Sequence, residues 1–472
     1  MSDRRVFRWA TTSTRLLAGT LAATGAVVAV VTAVTIPWPG VVREPAALSV
    51  VPAPAASVVA CDGPLLSLGR DVTQAGGLTV AATQQVTSGV SEGAAAPGQS
   101  AVIPDGRSTP DGPAVFTAPP VDRQRVDVAA AGSSTVTAED LSGFAASACR
   151  PPLLESWLVG GSGETGAADL VLLSNPGVVP ATVQLTVFGS AGEQNPPGGA
   201  DIVIPAGTQR VIPLAGLVLG EASPVVRVSA SGAPVHASLQ TSITRTLVPG
   251  GVDQVDPIRE PQATQVITGV AVTRSPGADG ASDVATALRL LSPSADTSAS
   301  VTVTPVGRDQ PALAPQDVPL VAGEPIEVDL GGLPIGSYTV RVEAGEPVVA
   351  AVWQATGFGA GDDFAWYTPA PLVSVPSLFA APSGPAPVLT VINPASEPAD
   401  VVVVSADGAF RLEVSVPAAA SVTARLSSNT VYLLDPGDGE VRAGLSLTGD
   451  GALAGMPVWS ADAATPPIVV YP

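Results

Sequence analysis

A length of 472 residues is too great for one hydrophobic core and suggests roughly three to four domains, and the net charge is −20 at pH 7. Aromatic residues make up only 4% of the chain, whereas Gly and Pro number 49 and 48, so the cores are built mainly from small aliphatic side chains. This composition favours many short β-strands, and the acidic balance argues against binding of nucleic acid or anionic lipid through broad electrostatics.

The N-terminus has the features of a membrane signal. Four arginines lie within residues 1–15: Arg4, Arg5, Arg8 and Arg15. The uncharged run Leu16–Ile36 follows, and as a helix it spans about 31 Å, close to the hydrocarbon core of a bilayer. The basic cluster predicts cytoplasmic residues 1–15, one transmembrane helix over residues 16–36 and an extracytoplasmic remainder, located at the cell membrane. A signal peptide cleaved after Ala33 is the alternative.

The next two segments are predicted to be a stalk and a small module. Residues 37–60 are rich in Pro and Ala, which is typical of a stiff, largely unstructured spacer. Residues 61–150 are predicted to form an N-terminal module whose middle, Ser91–Pro120, lacks periodicity and is expected to be a loop. The stretch Thr137–Asp140 matches a helix N-terminus, so we expect a short helix that ends near Ala148.

The chain has two cysteines, Cys61 and Cys149, and each opens a C-x-x-P-L-L phrase. An even count on the oxidising side of a membrane predicts a disulfide between them, with two free buried thiols as the alternative. Two Cys and one His are a poor basis for a metal site, and no metal or cofactor is predicted.

The rest of the chain contains three related copies. Each includes a strand, a Pro-bearing turn and a second strand: Leu170–Gly192, Ala287–Gly307 and Val388–Gly408. In two copies Asn precedes the Pro, and an Asn side chain can bond its own backbone in such a turn. The copies are assigned to residues 151–256, 257–368 and 369–472. Their size and their roughly seven short strands predict an all-β fold of tandem immunoglobulin-like β-sandwiches, with a single propeller ranked second.

Three stretches of the first copy resemble a known family: ESWLVGGSGETGAADLVLLSNPGVVPATVQLTVFG, VIPAGTQRVIPLAGL and SPVVRVSASGAPVHASLQTSITRTLVPGGVDQV. They are similar to actinobacterial envelope proteins that are known mainly as a domain of unknown function. The resemblance covers roughly Cys61 to the C-terminus and is strongest over Glu155–Val255. It implies one anchor and an Ala/Val-rich β-region, with no established activity and no catalytic residues.

The most distinctive loop of the sequence is Gly359–Tyr367. It contains the candidate ligand residues: Asp362, Asp363, Phe364, Trp366 and Tyr367. Carboxylates beside aromatic rings can bind sugars or calcium, although the spacing of a calcium-binding loop is absent. The alternative is a linker whose aromatic residues pack at a domain junction.

Three further features are interpreted as structural. His236 is the only His and is predicted to be a solvated strand residue, facing the same way as Ser238 and Gln240, rather than a catalytic base. Trp353 and Trp459 align on the last strands of their copies and are predicted to be core residues, with ligand stacking as the alternative. The glycine-rich stretch 160–166 lacks the Lys and the helix of a phosphate-binding loop, so a hairpin turn is expected.

One arginine recurs at an equivalent position in each copy: Arg227, Arg341 and Arg442. In a strand it would point away from the apolar residue before it, so a solvated charge is expected.

The sequence therefore predicts no catalytic residues. The first hypothesis is a non-enzymatic binding or scaffolding component of the cell envelope, with an envelope protein or glycan as partner and no nucleic acid. The second is an accessory factor in the assembly or export of surface polysaccharide or cell wall. A secreted hydrolase ranks third, because a glycosidase needs only two carboxylates.

Overall fold

A single helix, α1, runs from Asp3 to Thr35. The computed structural model describes residues 3–35, 48–50, 54–70, 77–104, 112–274, 286–461 and 468–470. Within α1, Ser13–Thr35 has 23 residues and a mean hydropathy of 2.0, so it is long and apolar enough to cross a membrane, as a signal sequence also is. The predicted apolar helix is confirmed.

The chain divides into two units, residues 1–52 with 465–472 and residues 53–464. Strand β1 (Leu48–Val50) belongs to the first unit and follows the helix after residues that lie outside the described ones. Most of the predicted stalk, residues 36–47 and 51–53, also lies outside them.

The N-terminal module consists of nine strands that form three small sheets and extend one sheet of the first copy. They are β2 (Ser57–Ala60), β3 (Leu65–Leu68), β4 (Leu78–Ala82), β5 (Gln85–Val90), β6 (Gly98–Ala101), β7 (Ile103–Pro104), β8 (Ala114–Ala118), β9 (Val128–Thr137) and β10 (Ser142–Ala148).

Three predictions for this region are wrong. The end of the predicted stalk is the strand β2, which is largely buried and pairs with β8. The predicted loop contains β6, β7 and β8, although residues 105–111 lie outside the described ones. The predicted helix is the hairpin β9–β10, whose small Ala, Gly and Ser side chains fit closely packed sheets. Strands this short show too few alternations for a periodic pattern to reveal them.

The first copy has nine strands and two short 3₁₀ turns (Pro197–Gly199 and Leu214–Gly216). The strands are β11 (Glu155–Val159), β12 (Leu170–Asn175), β13 (Ala181–Gly189), β14 (Gly192–Gln194), β15 (Ile202–Ile204), β16 (Thr208–Pro213), β17 (Val225–Ser231), β18 (His236–Arg245) and β19 (Val248–Val255).

The second copy has seven strands: β20 (Gln262–Val272), β21 (Thr286–Leu291), β22 (Thr297–Pro305), β23 (Gln316–Leu320), β24 (Ile326–Asp329), β25 (Gly336–Ala355) and β26 (Phe364–Tyr367). The third copy has nine: β27 (Leu372–Val373), β28 (Ser377–Ala381), β29 (Pro387–Ile392), β30 (Ala399–Ser405), β31 (Arg411–Val416), β32 (Ser421–Arg425), β33 (Thr430–Asp435), β34 (Val441–Gly449) and β35 (Ala452–Pro457). The last strand, β36 (Ile468–Val470), pairs antiparallel with β1 in the first unit.

All three copies have the same arrangement of two sheets. In the first copy, one sheet has the order β11-β17-β13 and the other β19-β18-β12-β16, and in the second copy the long strand β25 takes part in both sheets. In the first copy the first strand, β11, pairs with the seventh, β17, whereas the first strand of an immunoglobulin domain pairs with the second. The all-β fold is confirmed, whereas the immunoglobulin-like topology remains a prediction.

The Asn-Pro turns are held by the Asn side chains. Asn175 is fully buried, and its Nδ2 donates to Val179 O at 2.8 Å and to Ile204 O at 3.0 Å. Asn393 of the third copy donates in the same way to Glu397 O and Val416 O. These bonds tie the turn to a neighbouring strand, so the bonding predicted for Asn is present and extends further along the chain.

The copies and the module close into a ring within residues 53–464. Four strands make the contacts between neighbouring parts of the ring: β10 with β19, β19 with β26, β26 with β35, and β35 with β10. The hydrophobic cores continue across these junctions: Phe364 and Trp366 of the second copy lie in the core of the first, and Phe144 of the module lies in the core of the third. The copies therefore do not form a row of separate domains.

Cys61 and Cys149 form the predicted disulfide, which closes a separation of 88 residues in the sequence. A loop of this size stabilises the folded chain by about 4–5 kcal/mol in the entropic account. The bridge joins the beginning of the module to its end, beside the first copy.

Candidate functional site

The candidate loop Gly359–Tyr367 lies at the centre of the ring and is largely buried. Asp363 and Phe364 are fully buried, and Asp362, Trp366 and Tyr367 are each less than 10% exposed. Tyr367 Oη accepts a hydrogen bond from Ala271 N, and burial raises the pKa of its hydroxyl. The candidate ligand residues are thus brought together at a junction, and most of their atoms are inaccessible to a ligand.

Asp363 joins all four parts of the ring. Its Oδ2 accepts hydrogen bonds from Phe144 N at 2.9 Å and Leu453 N at 3.2 Å, and its Oδ1 accepts one from Val252 N at 3.1 Å. These donors belong to the module, the third copy and the first copy, respectively. Gly143 and Gly251 leave the space for the carboxylate, since a Cβ on either would lie within 2.7 Å of Asp363 Oδ1. Burial raises the pKa of Asp363 to about 7 against the opposing effect of these N–H groups.

Calcium binding at this loop gains no support from the geometry. Asp362 bonds Gly359 N within its own loop and pairs with the exposed Arg274, and Asp363 is occupied by backbone donors. Among the described residues, no group of three or more His, Cys, Asp or Glu side chains could hold a metal ion.

His236 is buried rather than solvated, and its ring Nε2 lies 2.7 Å from Asp62 Oδ1. The prediction of a solvated strand was wrong because residues 62–66 of the module cover this face of the sheet. Gln240 bonds both the N–H and the C=O of Leu66, and Gln254 donates to Gly63 O. Both side chains of the His236–Asp62 pair are 1% exposed, so a substrate in solution does not reach them.

The recurring arginines have three different environments. Arg341 is exposed and pairs with Glu343, as expected, and Arg227 is half-buried over the ring of Trp157. Arg442 is only 7% exposed and donates from Nη1 to Ala370 O, so the expectation of a solvated charge was wrong there. The cause is the ring, which packs the second copy against this strand of the third.

The junction of the first and second copies contains a cleft of about 470 Å³, which we name the aromatic cleft. The first copy contributes mainly the residues before β12 and at the end of β18, and the second contributes rings and charges. The lining residues are Gly161, Ser162, Glu164, Thr165, Gly166, Ala167, Asp169, Thr241, Ile243, Thr244, Arg245, Ala287, Arg289, Glu327, Trp353, Phe358, Phe364 and Trp366.

Four aromatic rings line this cleft. Trp353 and Phe358 are half-buried and stacked, with ring centroids 6.4 Å apart and planes inclined by 25°. Trp353 also lies against the buried Phe364, at 6.1 Å, and pairs with Trp366 across β25 and β26. Trp353 therefore packs on the core with one part and lines the cleft with another, so the predicted core contact is present and ligand stacking stays a prediction.

Two charged residues of the cleft, Asp169 and Arg289, form hydrogen bonds to the backbone of its walls. Asp169 Oδ2 accepts from Ser162 N at 2.6 Å and its Oδ1 from Ser242 N at 2.8 Å, and burial raises its pKa to about 7. These bonds fix the glycine-rich stretch 160–166, which connects strands of different sheets and is therefore not the expected hairpin turn.

Arg289 is buried and bridges the two copies. It donates to Gly161 O and Pro224 O of the first copy and to Glu327 of the second, and its guanidinium lies 4.7 Å from the centre of the Trp366 ring. Neither Asp169 nor Arg289 was singled out from the sequence, because an isolated Asp or Arg near a strand has no distinguishing pattern.

Such a cleft can bind a ligand that has a flat apolar face and several hydroxyl groups. The partly exposed rings of Trp353 and Phe358 provide apolar aromatic surface for such a ligand, and the guanidinium of Arg245 lies over the Phe358 ring, 4.8 Å from its centre. Thr165, Thr244 and Arg245 supply polar groups around them.

A comparison with family models gives one match. A family of unknown function, DUF5719, matches residues 105–429, which include the aromatic cleft, Asp363 and most of the third copy. This agrees with the resemblance to a family of unknown function. No curated protein matches the chain.

Proposed function

The chain belongs to the DUF5719 family of unknown function, and from this premise we propose that it is a non-enzymatic binding component of the cell envelope. Its helix α1 would anchor it in the membrane, with residues after 36 on the extracytoplasmic side, and the aromatic cleft would bind a neutral glycan. The observation that carries the proposal is the stacked, half-exposed pair Trp353–Phe358 within a polar cleft.

Three further observations support this proposal. The disulfide Cys61–Cys149 suits an oxidising compartment, and four of the five arginines in residues 1–43 precede the apolar run. In the cleft, two backbone N–H groups bind Asp169 and Arg289 pairs with Glu327, so both carboxylates have structural partners within the protein.

We expect the mature protein to retain its N-terminus. Arg4, Arg5, Arg8 and Arg15 precede 21 uncharged residues, a length typical of an anchor and greater than that of a secretory apolar region. Mass spectrometry of the mature chain, with protease accessibility of intact cells, checks both the N-terminus and the orientation. A chain that begins at Val34 would contradict the anchor.

We expect Trp353→Ala to weaken glycan binding roughly two- to tenfold, because a stacked ring contributes about 0.5–1.5 kcal/mol beyond its buried area. The full-length protein in detergent would be titrated by calorimetry with neutral hexasaccharides of glucose, N-acetylglucosamine and mannose. The reducing ends released during prolonged incubation would be measured in parallel.

Trp459→Ala is the matched control, since Trp459 occupies the corresponding place in the third copy but lies outside the aromatic cleft. Its affinity for the hexasaccharides should equal that of the wild type. Equal binding by Trp353→Ala and the wild type, or no binding of any hexasaccharide, would contradict the glycan site. Steady release of reducing ends would contradict the non-enzymatic role.

A further inference from the structure

A second cleft, of about 250 Å³, lies where the segments that follow the last strand of each copy meet. Residues 257–260 follow β19, residues 369–371 follow β26, and Trp459 and Ser460 follow β35. Arg442 and Gln265 complete the wall, and we name this site the arginine cleft. It shares no lining residue with the aromatic cleft, and the inference drawn from it does not depend on the proposed glycan site.

Arg442 is a buried cation without a carboxylate partner among the described residues. It is 93% buried, and its one hydrogen bond to a described residue is donated from Nη1 to the backbone oxygen of Ala370. Burial, reinforced by the nearby Arg341 and opposed by Glu440, lowers its pKa. A buried charge is costly unless it is paired, and Glu440 acts on Arg442 only through its charge, without a direct ion pair among the described residues.

A second guanidinium lines the same cleft. Arg259 lies over the ring of Trp459, at 5.1 Å from its centroid, and Arg150 lies over the same ring at 4.6 Å. Arg150 itself pairs with Asp256 and donates to Pro457 O, so it is committed to the protein. Stacking on Trp459 restricts Arg259 and reduces the entropy that it would lose on binding a ligand.

The lining of the arginine cleft is thus cationic in a chain of net charge −20. It includes two arginines and one carboxylate, Glu260, which is exposed. Apolar surface is supplied by the prolines of the connecting segments and by Ile258 and Leu372. Guanidinium groups bind carboxylate and phosphate through paired, charge-assisted hydrogen bonds.

We propose that the arginine cleft is an anion-binding site, in which Arg442 and Arg259 together hold the carboxylate or phosphate group of a small ligand. The buried Arg442 supplies the fixed charge, and Arg259, stacked on Trp459, closes on the anion from the exposed side. The carboxylate of an acidic sugar and the phosphate of a phosphorylated one share this chemistry.

The test uses the full-length protein in detergent, with sodium phosphate, sodium glucuronate and glucose as probes at constant ionic strength set with sodium chloride. Calorimetry and thermal unfolding are measured for each. We expect phosphate or glucuronate to bind and to raise the melting temperature, and glucose to do neither. Tighter binding of phosphate would indicate a phosphorylated ligand, and tighter binding of glucuronate an acidic sugar.

Arg442→Met should weaken anion binding roughly tenfold or more, because it removes charge-assisted hydrogen bonds from a buried site. Without the anion, its melting temperature should equal or exceed that of the wild type, since an unpaired buried charge has been replaced by an apolar chain of similar length. A residue with only a structural role would instead lose stability. Arg411→Met is the matched control, since Arg411 is an exposed arginine of the same copy that pairs with Glu413.

Arg259→Gln is the second variant, because Arg259 is exposed and its substitution should disturb folding less than that of the buried Arg442. We expect roughly two- to fivefold weaker binding of the anion. Failure of both anions to bind the wild type, or unchanged affinity in Arg259→Gln, would overturn the proposal. So would equal anion binding by a folded Arg442→Met protein.

Discussion

Asp363→Ala is expected to lower the free energy of unfolding by about 5 kcal/mol, which is a large fraction of the stability of most proteins. The substitution leaves the buried N–H groups of Phe144, Val252 and Leu453 without their acceptor. Each unsatisfied buried donor costs about 1–3 kcal/mol, and the three belong to three different parts of the ring. Denaturant unfolding, followed by tryptophan fluorescence, measures the loss.

Asp362→Ala is the matched control, because it alters the preceding residue of the same type. Asp362 bonds Gly359 N within its own loop and pairs with Arg274, whose side chain is 66% exposed, so we expect a loss of about 1 kcal/mol. Asp363→Asn keeps one acceptor oxygen and should fall between the two. Similar losses for Asp362→Ala and Asp363→Ala would show that Asp363 does not join the ring.

The protein is expected to be more stable at pH 5 than at pH 8. Burial raises the pKa of Asp169 and Asp363 to about 7 and that of Asp256 to about 6, and raises that of Asp253 well above its usual range. An acid whose pKa is higher in the folded state than in the unfolded state binds its proton more tightly when folded. Its contribution to stability is complete below pH 4 and is lost as the pH rises through about 7.

At about 1.4 kcal/mol per pKa unit, a single group such as Asp169 contributes about 4 kcal/mol below pH 4, and about 3 kcal/mol of this is lost between pH 5 and pH 8. We therefore expect the melting temperature to fall by about 5 °C or more between pH 5 and pH 8, measured by thermal unfolding at constant ionic strength.

Two variants separate this effect from a general dependence on charge. Asp169→Asn removes one titrating group and should flatten the decline. Asp140 pairs with Arg70, which lowers its pKa to about 2, so Asp140→Asn should leave the slope above pH 5 unchanged. A melting temperature that is constant or rises from pH 5 to pH 8 would show that these buried acids are not protonated in the folded state.

The fold class and the repeats could be predicted from the sequence because they depend on local patterns. The strand β30 alternates between buried and partly exposed residues, with Val401 and Val403 inside, and the Asn of the Asn-Pro turns bonds the backbone as its chemistry requires. The disulfide followed from the count and the compartment. None of these features depends on which residues pack against the outer faces of the sheets.

The closure of the ring could not be predicted, because it depends on contacts between residues far apart in the chain. His236, Ser238 and Gln240 looked like a solvated face, since polar residues alternate there with apolar ones. In the structure Gln240 hydrogen-bonds the backbone of Leu66, which lies 174 residues away in the sequence. These polar side chains therefore form the interface between the first copy and the module. One signal was available: Leu170–Leu173 is continuously apolar, which is typical of a strand buried on both faces.

Neither cleft could be predicted from the sequence. The aromatic cleft combines Trp353 and Phe358 of the second copy with the stretch 160–166 of the first, and no spacing along the chain relates them. The arginine cleft depends on Arg442, which follows a Val as the exposed Arg341 does, and the burial of Arg442 results from what packs against its strand.

The contact between β10 and β35 determines the order in which the chain can complete its fold. The module is synthesised first, yet Phe144 packs in the core of the third copy, whose residues lie more than 200 positions further along the chain. Until that copy has been made, the hairpin β9–β10 presents uncovered apolar surface and backbone donors. A chain with this topology has a high contact order, so its last step is slow and incomplete chains are prone to aggregate. Closure also fixes the number of copies at three, because the ring has no free end to which another could be added.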